Sequence, residues 1–250
     1  MIKVKRGTKP EKLDAIELFN EFQQKKKTQP ITAAQFWAKV SKRQAMQTYA
    51  RQLHQAFQHK CAFCESKPVA TNALQIEHYR PKGNPQFERL MFEWENWLSS
   101  CGCCNSKKWL HFPDCEGEPC LIDPCIEEPT KHIEFLREHA LSKTRRGEET
   151  IKLVGLERSP LKEERAKWLL QINSLLLLCL TPARPTARQL LIWAMQPEAP
   201  YSAMTYCYLS QKTPKLANPE RPHPHINFDD PMTHIAQVID RYKMYLMDLI

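Results

Sequence analysis

Apolar residues recur at helical spacing at both ends of the chain, and the pattern breaks in the middle. From Pro10 to Lys27 the positions Leu13, Ile16, Phe19 and Phe22 follow a stride of three and predict one apolar stripe on a charged helix. Thr32 with Gln35 has the spacing of a capping box. Phe36, Val40, Tyr49, Leu53 and Phe57 then continue a helical rhythm to about His59, with a break near Ser41. Between Cys61 and about Pro129 only short runs such as Ala73 to Tyr79 suit a strand, so that stretch reads as loops and a hairpin. Helices are expected again over Glu148 to Leu156, Leu161 to Leu180, Thr186 to Met195, Ala203 to Ser210 and Thr233 to Met247, the last set apart by the Pro-rich stretch from Thr213 to Pro231. The expected fold class is α+β, mostly helical.

A chain of 250 residues can bury a core without staples, and 19 Pro against 6 Gly implies stiffened loops. The net charge is +8. Residues 1 to 60 hold thirteen Lys or Arg and four acids, so the remainder is close to neutral. A basic helical front suits phosphate contact, although Lys25, Lys26 and Lys27 by themselves read as a solvated helix end. The first residues lack an apolar signal segment, and the run Leu175 to Leu180 is short and reads as a buried helix rather than a span. The protein is therefore expected in the cytoplasm, without a membrane.

In that compartment ten cysteines read as metal ligands and spare buried thiols. Cys61-Ala62-Phe63-Cys64 and Cys101-Gly102-Cys103-Cys104 supply two CxxC knuckles, as a tetrahedral structural Zn²⁺ requires. Their spacing favours Cys101 and Cys104 over Cys103. Cys115, Cys120 and Cys125 read as small buried hydrophobes. Trp94, Trp97 and Trp109 read as a miniature core beside the knuckles. A zinc clamp would hold the forty-residue excursion between the pairs, and in it lie Glu77, His78 and Asn96, with Asn105 directly after the second pair. Such oxygen and imidazole groups suit a hard divalent cation and a general base.

Cys61 to Cys64, Ile76-Glu77-His78-Tyr79-Arg80-Pro81-Lys82, Glu95-Asn96-Trp97-Leu98 and Cys101 to Asn105-Ser106-Lys107-Lys108 resemble an HNH endonuclease of the zinc-bearing ββα-metal type. The resemblance covers roughly a quarter of the chain, one domain-sized motif. With Leu121-Ile122-Asp123-Pro124 downstream, it extends to the nuclease component of Septu-type anti-phage systems, also found beside retron reverse transcriptases. It implies that His78 is the general base, that Asn96 braces the loop orienting it, and that Glu77 and Asn105 hold Mg²⁺ or Mn²⁺. Two departures stand out: Asn105 replaces the more usual histidine, and Glu77 the more usual aspartate. Lys82, Lys107 and Lys108 are candidate phosphate ligands.

The implied activity is phosphodiester hydrolysis in nucleic acid leaving 5′-phosphate and 3′-hydroxyl ends. DNA is favoured, and nothing in the motif distinguishes RNA or transfer RNA. The alternative is a non-catalytic zinc adaptor for nucleic acid or protein. The expected domains are a basic helical region at 1–59, the zinc-stabilised core at 60–129 and a helical region at 130–250 suited to partner docking. The implied partners are a PtuA-like ABC- or SMC-type ATPase, since this chain has no GxxxxGK[ST] loop, and a retron reverse transcriptase with its DNA–RNA hybrid.

Overall fold

The computed structural model describes residues 1–68 and 73–211. The expected helix at 233–247 and the Pro-rich stretch lie outside them. Three helices open the chain: α1 (Ala15–Thr28), α2 (Ala33–Val40) and α3 (Gln44–Ala56). A capping box starts α2, with Thr32 and Gln35 bonded reciprocally, and the chain breaks between Val40 and Gln44 as the pattern predicted. Phe36, Val40, Tyr49, Leu53 and Phe57 are all buried. On α1 the stride of three is wrong in detail, because a helix turns every 3.6 residues. The buried face carries Ala15 and Phe22, and Ile16 is 73% exposed.

The middle of the chain is a ββα unit. Strands β1 (Leu74–His78) and β2 (Trp97–Cys101) pair antiparallel, with Glu77 opposite Leu98 and His78 opposite Trp97. Helix α4 (Gly102–Lys108) follows β2 without a loop. Side chains alternate across a strand, so the hairpin has two dissimilar faces. Ile76, His78, Trp97 and Ser99 point toward α2 and α3: His54 on α3 lies 2.9 Å from Ser99 Oγ, and Trp37 on α2 packs on His78. Gln75 and Glu77 point toward α4 and meet Asn105 and Lys108.

Downstream come β3 (Asp114–Cys115) with β4 (Glu118–Pro119), and β5 (Ile133–Leu136) with β6 (His139–Ser142). The first hairpin corrects the reading of its cysteines. Its tight turn sets Cys115 and Cys120 5.0 Å apart at Cα, and they form a disulfide, while Cys125 remains a free thiol. Helices α5 (Arg145–Val154), α6 (Ser159–Leu178), α7 (Arg184–Ala194) and α8 (Ser202–Gln211) complete the described part. The Leu-rich end of α6 is buried on one side only. Leu176 and Cys179 face inward, whereas Leu177 is 53% exposed. Among the described residues no helix is long and apolar enough to cross a membrane.

The two ends of the described chain are fastened to the first knuckle by Glu65. Its carboxylate takes the Met1 ammonium at 2.9 Å, Lys60 Nζ at 3.5 Å and the Ser202 hydroxyl at 2.8 Å. Burial alone would raise the Glu65 pKa, but the Met1 and Lys60 charges and the Ser202 hydrogen bond outweigh it and hold it at about 2. A carboxylate depressed on folding stabilises above its ordinary pKa of 4.5, and that share is lost as pH falls through the folded value. Acid unfolding followed by tryptophan fluorescence should therefore steepen between pH 4.5 and 2. In Glu65→Gln this limb should flatten and the protein should be less stable at neutral pH. An unchanged acid limb would remove Glu65 from the account.

Candidate metal centre and histidine groove

Backbone geometry brings the four expected thiols together. Cys61 and Cys64 lie in a turn closed by Glu65 N–H to Cys61 C=O at 3.0 Å and fastened to β2 by Ala62 N–H to Ser99 C=O at 2.7 Å. Cys101 ends β2 and caps α4, its Sγ accepting from Cys104 N–H at 3.5 Å. All four side chains are buried and their sulfurs lie within 4.8 Å of one another. A tetrahedron with metal–sulfur bonds of about 2.3 Å has edges of roughly 3.8 Å, and Cys64 Sγ lies 3.8 Å from Cys101 Sγ. The set can hold a tetrahedral ion such as zinc. Cys103, the alternative, is exposed.

Protons divide unevenly among these sulfurs. Cys104 draws the Cys101 pKa down to about 7, and hydrogen bonds from the other three lower Cys64. Burial pushes Cys61 up, and hydrogen bonding to its neighbours pushes Cys104 up. Four buried thiolates repel one another, and a dication is what lets all four deprotonate.

At the other end of β1, His78 is 2% exposed. Its Nε2 lies 2.9 Å from the carbonyl of Met91, which also accepts from Trp97 Nε1 at 2.9 Å. A carbonyl accepts only, so Nε2 carries the hydrogen and Nδ1 presents its lone pair. Lys82 Nζ lies 3.4 Å from Nδ1 and 5.5 Å from the centre of the Trp37 ring, which packs perpendicular to the imidazole at 4.4 Å between centroids. Burial first, then the Lys82 charge, lowers the His78 pKa well below 6.5, so the ring is neutral at pH 7. A cavity of about 400 Å³ opens here between α2, α3, β1 and α4, lined in part by Trp37, His54, Gln75, Lys82 and Asn105.

Asn96 ties the two ends of the excursion that carries Met91. Its Oδ1 accepts from Arg80 N–H at 2.8 Å, and its Nδ2 donates to the carbonyls of Arg80 at 3.0 Å and Leu90 at 3.1 Å. Because β1 alternates, Glu77 points away from His78 and toward α4. Lys108 Nζ donates to Glu77 Oε1 at 2.6 Å and to the His78 carbonyl at 2.8 Å. Asn105, one turn earlier on α4, donates instead to Gln75 Oε1 at 2.7 Å. Burial raises the Glu77 pKa against the pull of Lys108.

Some expectations need correction. Lys108 is not at the surface but fully buried on Glu77. Helical phase turns it inward, while Lys107 faces outward with its side chain running toward Gly155. Of the three lysines, Lys82 is the one that reaches the His78 ring. Of the three tryptophans, Trp94 and Trp97 are buried, but Trp109 is 68% exposed, because the chain leaves α4 at positive φ there. Trp37, His54 and Arg158 belong to the site and had no local signature. Arg158 lies at 3.5 Å from Cys104 Sγ, fifty-four residues away in sequence.

A charge buried as deeply as Glu77 is costly once its partner is gone. Lys108→Met should lose about 3 kcal/mol or more in urea unfolding, and Glu77→Gln with Lys108→Met together should recover much of it. A single variant as stable as wild type would show that the pair is not buried in solution.

No protein-family model matches the chain. It is 30% identical over 199 residues to Septu protein PtuB of Bacillus mycoides (strain KBAB4), covering 67% of this chain and 66% of that protein. It is 32% identical over 98 residues to Septu protein PtuB of Bacillus thuringiensis, covering 39% of this chain and 36% of that one. The chain thus matches less than two thirds of the length of either relative. It is, over that shared part, a relative of Septu protein PtuB.

Proposed function

We propose that the chain is a metal-dependent HNH endonuclease that hydrolyses phosphodiester bonds in nucleic acid, DNA before RNA. In this reading it is the effector of a cytoplasmic anti-phage system and works with a PtuA-like ATPase. Its similarity to Septu protein PtuB supports the setting. The observation that carries the chemistry is the His78 ring. Met91 fixes its tautomer, and its Nδ1 lone pair meets Lys82, which lines the groove.

A phosphodiester entering the groove draws the Lys82 ammonium onto its oxygens, and Nδ1 is left to accept the proton of the attacking water. The negative charge of the diester also raises the His78 pKa from its lowered value, strengthening the base as substrate binds. Asn96 holds the excursion that places the Met91 carbonyl, so it positions the base without touching substrate. Asn105, which lines the groove with Lys82, offers a hard amide oxygen suited to Mg²⁺ or Mn²⁺, while Glu77, turned away from His78, would have to exchange Lys108 for the ion to share it. The Lys108 ammonium on Glu77 marks that carboxylate as one that accepts a cation. Such an ion, when bound, supplies neutralisation of charge building on the phosphate.

The adaptor reading draws on that same ion pair, because Lys108 already neutralises Glu77. Cleavage assays with the partner ATPase present separate the two. His78→Ala should reduce cleavage by roughly 10²- to 10⁴-fold while zinc content and ATPase binding stay at wild-type level. Full activity in His78→Ala would transfer the case to the adaptor.

A further inference from the structure

Four thiolates around a dication leave a net charge of −2 in a buried site. Part of the answer to that charge comes from far along the chain. Arg158, the residue before α6, points its guanidinium at the second knuckle: Nη1 donates to Cys104 Sγ at 3.5 Å and Nη2 to Cys101 Sγ at 3.9 Å. The same Nη1 donates to the carbonyl of Gly155 at 2.9 Å, so the group is locked to the turn joining α5 to α6. Seven residues on, Arg165 is 1% exposed and donates through Nη1 to the carbonyls of Leu156 and Glu138, while its Nε and Nη2 have no hydrogen-bond partner. Burial opposes its charge, and the Cys64 thiolate is foremost among the charges that support it, ahead of Glu157 at 3.8 Å.

We propose that Arg158 is the outer shell of the four-cysteine metal centre, and that this contact couples the ion to the start of α6. The proposal rests on reading the thiols as a zinc site. N–H groups aimed at bound sulfurs disperse their charge and slow their protonation, so the metal is held longer. A guanidinium spans two sulfurs where an ammonium serves one point. Loss of the ion would leave Arg158 without its sulfur acceptors as anions and free the α5–α6 turn.

The test is zinc release from the full chain to a chromogenic chelator, together with the thiolate charge-transfer band of the cobalt-substituted protein. Arg158→Met should release zinc about tenfold faster and shift the cobalt band, and Arg158→Lys should fall between it and wild type. Thr144→Ala removes the N-cap of α5 at the end away from Arg158 and the sulfurs, and should release zinc at the wild-type rate. Wild-type kinetics in Arg158→Met, or equal acceleration in Thr144→Ala, would overturn the proposal. Should Arg158→Met fail to fold, Arg158→Lys decides alone: release at the wild-type rate overturns the coupling. A wild-type chain that retains zinc while both arginine variants behave as wild type defeats this inference only. A wild-type chain that binds no zinc defeats the metal reading beneath it.

Discussion

Convergence of four sulfurs is the constraint on which the rest of the ββα unit depends. The stretch between the knuckles has few aliphatic residues and only a five-residue ladder, too little for independent stability. Clamping Cys61 and Cys64 against Cys101 and Cys104 fixes the base of that hairpin, and β2 passes directly into α4 at the clamp. Everything the groove uses is then placed by short rigid steps from one fixed end.

Buried charge is the second theme, and each instance is answered across a long sequence separation. Glu65 receives Met1 and the start of α8, Glu77 receives Lys108, and the thiol cluster receives Arg158. Such pairs contribute little net stability compared with apolar replacements but penalise wrong arrangements heavily. The N-terminal strap follows the same logic, with Arg6 donating to the Trp97 carbonyl at 2.8 Å and ion-pairing with Asp123 at 3.4 Å. The site is therefore held from both ends of the described chain.

Much of this was legible in the residues themselves. The Thr32–Gln35 capping box, the break after Val40 and the helices α5 to α8 follow from local spacing, and the CxxC knuckles from ligand geometry. What local spacing could not supply was rotation and distance. The inward turn of Lys108, the outward turn of Trp109 and the opposite facing of Glu77 and His78 depend on helical phase and strand alternation at single residues. The Cys115–Cys120 bond depends on a two-residue hairpin with no strong strand signal. Arg158 and Trp37 reach the site only through tertiary packing.

The most direct measurement of the central claim is zinc-edge X-ray absorption on the purified chain together with metal content. The account predicts one zinc per chain bound by four sulfurs at about 2.3 Å. A first shell containing nitrogen or oxygen, or fewer than four sulfurs, would contradict it.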